Sequence, residues 1–206
     1  SGKYMLWDES ADALTFPDNT YLYLGTGNDL RLYHQGSYSI IGNNTGHLYI
    51  QNNADDSDIV FQSDDGSGGT ETYFFLDGSA GAGTPITTFP DGSYLTFGGS
   101  QDIQMYHDGT YNVIKATSGH MIIKQDSDDQ DIIFQSDDGS GGVETYFYLD
   151  GSTGYTQFPD SKQLTFGASD DLKIQHNGTN SEIGNFTGSL NIYTHTDDGD
   201  INFMAD

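Results

Sequence analysis

The stretch FQSDDGSGG at Phe134–Gly142 decides the fold, because the same nine letters occur 73 positions earlier at Phe61–Gly69. The match extends in both directions, so that Ile59–Ser79 corresponds to Ile132–Ser152. Near-identical segments at a fixed offset indicate internal duplication. The chain is therefore built from repeats, and its fold and function have to be interpreted at that level.

Three Phe-Pro-Asp motifs mark the junctions between repeats, with their prolines at Pro17, Pro90 and Pro159. Proline fixes φ, and Pro-Asp is typical of a turn. We use these junctions as boundaries. They predict the tail of a preceding repeat at 1–15, repeat one at 16–88, repeat two at 89–157 and a truncated repeat three at 158–206.

The most regular segments are DLRLYHQG at 29–36, DIQMYHDG at 102–109 and DLKIQHNG at 171–178. Their apolar residues recur with a period of two, which predicts a half-buried strand ending in a hairpin turn. Further short strands are expected at about ten-residue spacing, Leu48–Ile50 and Ile201–Phe203 among them. No window combines a sustained 3.6-residue period with capping signals. The sequence therefore predicts an all-β protein with essentially no helix.

The composition is poor in core-forming residues and strongly acidic. Leu, Ile, Val and Phe make up only 43 of 206 residues, and the formal net charge is −25. Such chains lie near the boundary at which folding alone fails, so we expect a thin core that partner subunits complete. The acidic surface repels nucleic acids and anionic membranes, and no apolar run approaches the roughly 18 residues of a membrane span. We expect neither a nucleic-acid partner nor membrane insertion.

Lengthwise stacking of the repeats is the architecture we expect. Fewer than three full copies are too few to close a propeller, whereas stacked copies cover one another's exposed faces. Open strand edges in so polar a chain invite pairing with other chains. Three identical chains wrapped around one axis would remove those edges and combine their thin cores. The predicted fold is an elongated repetitive β-structure, a trimeric β-helix or β-prism-like fibre.

The motifs D-[LI]-x-[LIM]-[YQ]-H-[QDN]-G and FQSDDGSGGxETYFxLDGS resemble repeats in long structural proteins of tailed bacteriophages, especially tail fibre and fibre-like proteins of marine phages. MLWDESADALTFPD at 5–18 is similar to the same repeats, so the resemblance covers nearly the whole chain. It implies a homotrimeric, β-rich segment of a virion appendage that is extracellular after release. Such a segment would contact other virion proteins and support attachment to a host surface glycan or protein.

A monomeric β-solenoid acting as a carbohydrate-binding module or surface adhesin remains an alternative. An enzyme is not expected, because neither a G-x-S-x-G elbow nor a G-x-x-x-x-G-K-[ST] phosphate loop occurs. Glycoside cleavage needs a pair of carboxylates, but among 31 acids such pairs would arise by chance, so their presence is no evidence for an enzyme. We therefore assign no catalytic and no cofactor-binding residue.

His34, His107 and His176 occupy the same place in the three copies, two residues after an apolar strand position. If the alternation of apolar and polar residues continues to the end of the strand, each imidazole lies on the same side of the strand as the apolar side chains. Three copies of one histidine would then meet on a threefold axis and bind a metal or an anion. The interpretation that we favour is a strand-end histidine that is hydrogen-bonded to the following turn, so no metal site is assigned.

The acidic clusters are a second candidate, since calcium takes six to eight oxygen ligands. The cluster at Asp126–Asp131 lacks the glycine and the distal glutamate of an EF-hand loop. We interpret these clusters as solvated turns, and calcium is the one cofactor that remains a hypothesis.

Alternating tyrosines form a third candidate, with Tyr21 and Tyr23 in one copy and Tyr146 and Tyr148 in another. Exposed aromatic faces favour binding to sugars and proteins. Cross-strand tyrosine ladders that stabilise a sheet are the interpretation we favour.

Overall fold

The structure is a computed structural model that describes residues 4–81 and 83–204. Within these ranges every regular element is a β-strand, as the period-two pattern predicts. The strands, in chain order, are β1 (Leu6–Asp8), β2 (Ala13–Thr15), β3 (Leu22–Leu24), β4 (Leu30–Gln35), β5 (Tyr38–Asn43), β6 (Ile59–Asp64), β7 (Thr70–Asp77), β8 (Ile86–Thr88), β9 (Leu95–Phe97), β10 (Ile103–His107), β11 (Asn112–Ala116), β12 (Ile132–Asp137), β13 (Val143–Leu149), β14 (Thr156–Gln157), β15 (Gln163–Phe166), β16 (Leu172–His176) and β17 (Ser181–Asn185). None of the described segments is a helix that could span a membrane.

The chain divides into two compact units, the first ending at Gly119 and the second beginning at His120. The first unit contains the hairpin β1-β2 and the three-stranded sheets β3-β4-β5, β6-β7-β8 and β9-β10-β11. The second contains β12-β13-β14 and β15-β16-β17. All strand pairs are antiparallel, and every three-stranded sheet is a meander of consecutive strands. The unit boundary falls inside the predicted repeat two, between its two sheets.

One kind of sheet recurs three times and is called the histidine meander here, because its middle strand ends next to or at one of the three histidines. The middle strands β4, β10 and β16 are the segments with the most regular alternation in the sequence. In the first copy Leu32 lies opposite both Leu22 and Ile41. Residues directly opposite one another point to the same side of a sheet. Alternation therefore collects the apolar side chains on one side, which we call the apolar face.

The other kind of sheet occurs twice and is called the phenylalanine meander. Its first two strands are joined by the SDDGSGG segment, so this segment is a hairpin connection. In the first copy Phe74 stacks between Phe61 and Phe89, with ring centroids 4.5 and 5.7 Å apart. The second copy repeats the stack with centroid distances of 4.4 and 5.7 Å. Stacked aromatic rows of this kind stabilise neighbouring strands.

Predicted strands do not form at Leu48–Ile50, at its counterpart Met121–Ile123 in repeat two, and at Ile201–Phe203. Leu48–Ile50 and Ile201–Phe203 are irregular and pair with no strand of the described chain. Both are exposed, with Tyr49 at 79 % and Phe203 at 85 %. A strand requires hydrogen-bonding neighbours as well as a suitable pattern. The prediction of strands at these places is wrong for the single chain, because none of them pairs with a strand of the described residues.

No described residue is buried, whether apolar or polar. The total accessible surface is 16552 Å², and large apolar side chains such as Ile41 and Ile114 are more than 60 % exposed. The composition predicts a thin core, and the single chain forms none at all among its described residues. Its internal order comes from strand pairing, turns and aromatic rows.

Candidate functional site

The three predicted histidines lie at or next to the ends of their strands and are hydrogen-bonded within their own hairpins. Each Nδ1 contacts the side chain directly opposite on the next strand. The contacts are His34 to Ser39 at 3.0 Å, His107 to Asn112 at 3.1 Å and His176 to Ser181 at 3.1 Å. Each histidine is thus hydrogen-bonded, as in the interpretation that the sequence favours. Its partner, however, belongs to the paired strand and not to the turn.

Metal binding by these histidines stays a prediction. Within one chain they lie in three separate sheets, and the described residues contain no group of three or more histidines or acids close enough to share a metal ion. The threefold-axis hypothesis concerns three chains. Metal analysis of the purified protein decides it.

The acidic residues of the SDDGSGG hairpins form their own turns. Asp65 accepts hydrogen bonds from the backbone N–H and the hydroxyl of Ser67, both at 2.7 Å. Asp138 accepts from the backbone N–H of Gly142 at 3.0 Å and from that of Ser140 at 2.7 Å. Because such bonds favour the charged carboxylate, they lower the pKa of both aspartates. Turn formation accounts for these residues, and calcium binding stays a prediction.

A second carboxylate turn recurs three times and was not singled out from the sequence. Asp77 Oδ1 accepts backbone hydrogen bonds from Ser79 and Ala80 at 2.9 and 2.8 Å. Asp8 and Asp150 form the same turn with the residues two and three positions later. The signal was an Asp-x-Ser triplet after the last apolar residue of a strand in each copy.

The tyrosines behave differently in the two places that the sequence singles out. Tyr21 stacks on Tyr23 with centroids 5.2 Å apart and contacts Tyr33 on the next strand at 4.4 Å, as in a cross-strand ladder. Tyr146 instead donates its hydroxyl to the carbonyl of Asp137 at 2.8 Å and lies under an ammonium group of the same chain. The second place is therefore a polar site.

That ammonium group belongs to Lys162, in the Phe-Pro-Asp turn that follows the second phenylalanine meander. Its Nζ forms an ion pair with Glu144 and lies 5.2 Å from the centroid of Tyr146. The lysine side chain is only 19 % exposed, whereas that of Glu144 is 51 % exposed. This half-buried contact joins a phenylalanine meander to the junction after it.

The corresponding place after the first phenylalanine meander is an open cleft of about 520 Å³. Its lining includes Glu71 and Tyr73, the counterparts of the carboxylate and ring just described, and the acids Asp65 and Asp91. No lysine or arginine is among its lining residues. Ser93 occupies the position that the lysine has in the other copy. The cleft is therefore a concave site with acidic and aromatic residues in its lining and no cation of its own.

Comparison of the chain with protein-family models, curated proteins and solved structures gave no match in any of the three.

Proposed function

We propose that the chain is a structural and adhesive segment of a bacteriophage tail fibre or related virion appendage, in which three copies wrap around a common axis. The observation that carries the proposal is the absence of any buried residue in the described chain. A compact monomer of 22.4 kDa exposes about 9,400 Å². The chain exposes 16552 Å², which leaves an excess of roughly 7,000 Å² to be covered.

The excess surface includes the apolar faces of the histidine meanders. Five equivalent positions in each meander are apolar: Leu22, Leu24, Leu30, Leu32 and Ile41; Leu95, Phe97, Ile103, Met105 and Ile114; Leu164, Phe166, Leu172, Ile174 and Ile183. Most of them are exposed by more than a third in the single chain. Apolar surface of this extent favours association, because its removal from water lowers the free energy by about 25 cal/mol per Å².

Further copies of the same chain are the occupant that fits these faces. The strand positions that pair on each apolar face carry no Asp or Glu, although the chain has a net charge of −25. Three such faces can therefore meet without burying an unpaired carboxylate, which would cost several kcal/mol. Obligate interfaces cover about 2,000–5,000 Å², and the excess surface is sufficient for that class.

The unpaired apolar segments that follow the three histidine meanders support the same proposal. Leu48–Ile50, Met121–Ile123 and Leu190–Tyr193 occupy equivalent places, and none belongs to a strand. Their side chains are largely exposed, Ile122 by 77 % and Ile192 by 58 %. Sister chains would supply the missing neighbours, so that an elongated shaft grows by one set of layers per repeat.

The tail-fibre assignment takes its support from the resemblance of both repeat motifs to phage structural proteins, together with these uncovered faces. A monomeric β-solenoid, the alternative, would leave the same faces in contact with water. Repetition of the polar contacts from copy to copy favours a structural role over catalysis. For the adhesive role, we assign no residue to receptor binding.

The experiment that tests the proposal is a mass measurement by light scattering. Three copies of 22.4 kDa give about 67 kDa, and a monomer gives 22.4 kDa. Ile114→Asp places a carboxylate on the apolar face, and it should dissociate the assembly into single chains or cause the chains to unfold. Lys115→Asp is the matched control, because it adds the same residue one position later, on the opposite face. A monomeric wild type, or equal behaviour of the two variants, would refute the proposal.

A further inference from the structure

We propose that the cleft beside Glu71 and Tyr73 binds a primary alkylammonium group. Asp65, Glu71 and Asp91 are among the residues that line its space of about 520 Å³, and no basic residue is among them. All lining residues come from one chain and one compact unit. The inference goes beyond the proposed function and does not depend on the number of chains in the assembly.

The chain itself provides an occupied copy of this site. Lys162 forms an ion pair with Glu144 and places its ammonium 5.2 Å from the centroid of Tyr146. Glu144 and Tyr146 stand 73 positions after Glu71 and Tyr73, in the equivalent strand of the second phenylalanine meander. The internal duplication thus shows which chemical group the carboxylate and the ring accept.

The two junction turns differ at two positions, since Gly92 and Ser93 of the first correspond to Ser161 and Lys162 of the second, and only Lys162 carries a charge. The backbone N–H of Lys162 donates to the carbonyl of Pro159 at 3.0 Å, and that of Ser93 donates to Pro90 at 2.9 Å. Both side chains therefore start from the same place. The Ser93 hydroxyl reaches only the carbonyl of Thr72, at 3.3 Å. The volume that the lysine fills in one site is open in the other.

The tyrosine is held in the same way in both sites. The Tyr73 hydroxyl donates to the carbonyl of Asp64, and the Tyr146 hydroxyl donates to that of Asp137, each at 2.8 Å. A fixed ring face attracts a cation within about 6 Å. Because the ring is already in position, a ligand does not have to order it on binding.

An organic ammonium suits the cleft better than a metal ion. Calcium and magnesium require several oxygen ligands around one point at about 2.0–2.6 Å. The described residues contain no group of three or more acids or histidines close enough for that. An alkylammonium requires one carboxylate and benefits from one aromatic face, which is the pair that Glu71 and Tyr73 provide.

The test is a ligand-observed NMR titration of the intact protein with n-butylammonium chloride, with n-butanol as the neutral control. We expect saturable binding of the amine with a Kd of about 1 mM and no binding of the alcohol. Glu71→Gln removes the charge, and Ser93→Lys fills the cleft from within. Each should weaken binding at least roughly tenfold.

The occupied copy allows a gain of binding to be tested. Lys162→Ser in the Glu71→Gln background should restore amine binding by emptying the second site. Further replacement of Glu144 by Gln should abolish it again. Circular dichroism and mass verify that each variant is folded and assembled. If Lys162→Ser does not fold, the comparison of wild type with Ser93→Lys decides the question.

Three results would overturn the inference. The first is a wild-type protein that does not bind the amine. The second is a Glu71→Gln variant that binds it as the wild type does. The third is displacement of the amine by magnesium chloride far more effectively than by sodium chloride at equal ionic strength, which would identify a metal site.

Discussion

Asp58 accepts a hydrogen bond of 2.9 Å from the backbone N–H of Gly78, 20 residues later in the chain. Asp131 and Gly151 repeat this contact at 3.0 Å in the second phenylalanine meander. The bond ties the segment before the meander to the turn after its middle strand. Its geometry leaves no room for a side chain at the glycine, because a Cβ there would overlap the carbonyl oxygen of Ser57.

Gly78→Ala should therefore destabilise the protein by about 1–3 kcal/mol, the range typical of overpacking. Relief would require the backbone of Ser57 to move and the bond to Asp58 to lengthen. Gly69→Ala is the matched control, because a Cβ at Gly69 would meet nothing within 4 Å. Urea unfolding at equal protein concentration measures both variants. Equal losses of stability would contradict this explanation.

The glycine after the first strand of each histidine meander faces the aspartate that directly precedes the middle strand. A Cβ on Gly98 would lie 3.0 Å from Cγ of Asp102 and closer still to one of its oxygens. The other oxygen accepts a hydrogen bond from the Ser118 hydroxyl at 2.7 Å, so the carboxylate cannot swing aside without breaking that bond. The same arrangement is present at Asp29 and Asp171.

Gly98→Ala should cost more than its backbone conformation alone explains. Its φ of +87° carries a strain of about 1–2 kcal/mol for any L-residue. Gly66→Ala, at φ +82° with open space around it, measures that strain by itself. We expect Gly98→Ala to lose about 1–3 kcal/mol beyond the control. A thermal melt of both variants provides the comparison, and indistinguishable melting temperatures would exclude a role for the carboxylate.

The phenylalanine row predicts a difference between two adjacent residues. Phe74 stacks on two rings, whereas Phe75 lies on the other side of the strand and takes part in no ring stack among the described residues. Each stacked pair contributes about 0.5–1.5 kcal/mol beyond its buried area. Phe74→Leu should thus lose about 1–3 kcal/mol more than Phe75→Leu. Denaturant unfolding gives both values, and the reverse order would show that the row is incidental.

The strands were predictable where their own residues provide the hydrogen-bonding neighbours. The segment at 29–36 alternates and is followed at once by a turn, so its partner is the next piece of chain. Leu48–Ile50 has a comparable apolar pattern but no neighbouring strand within the described chain, and it remains irregular. Local patterns cannot reveal whether a partner exists when that partner is distant or belongs to another chain.

The ammonium site was missed for a different reason. Lys162 and Glu144 are separated by 18 residues and belong to different elements, so no periodicity links them. The available signal was the difference between FPDGS and FPDSK in otherwise similar junctions. The charge of Lys162 is present in one copy and missing from the other, and it makes a contact with Glu144 that the first copy lacks.

The recurrent Asp-x-Ser turn predicts that the free energy of unfolding depends on pH. This dependence can be separated from the effect of the protein's large negative net charge. Hydrogen bonds from Ala80 and Ser79 lower the pKa of Asp77 in the folded state relative to the ordinary value near 3.8. A lowered folded-state pKa adds stability above the ordinary value, and this contribution is lost as the pH falls through the lowered one. Asp77→Asn retains an acceptor oxygen but does not titrate. The wild type should therefore be more stable than the variant at pH 7.

That difference in stability should shrink once the pH falls below about 3.8 and should disappear in stronger acid. Neutralising the many other carboxylates changes both proteins alike, so the comparison removes their repulsion. Glu9→Gln, at an exposed position in the equivalent turn after Asp8, controls for the loss of one charge. Denaturant unfolding between pH 2.5 and pH 7 provides the measurement. A difference that stays constant across this range would mean that the turn does not depend on the ionised carboxylate.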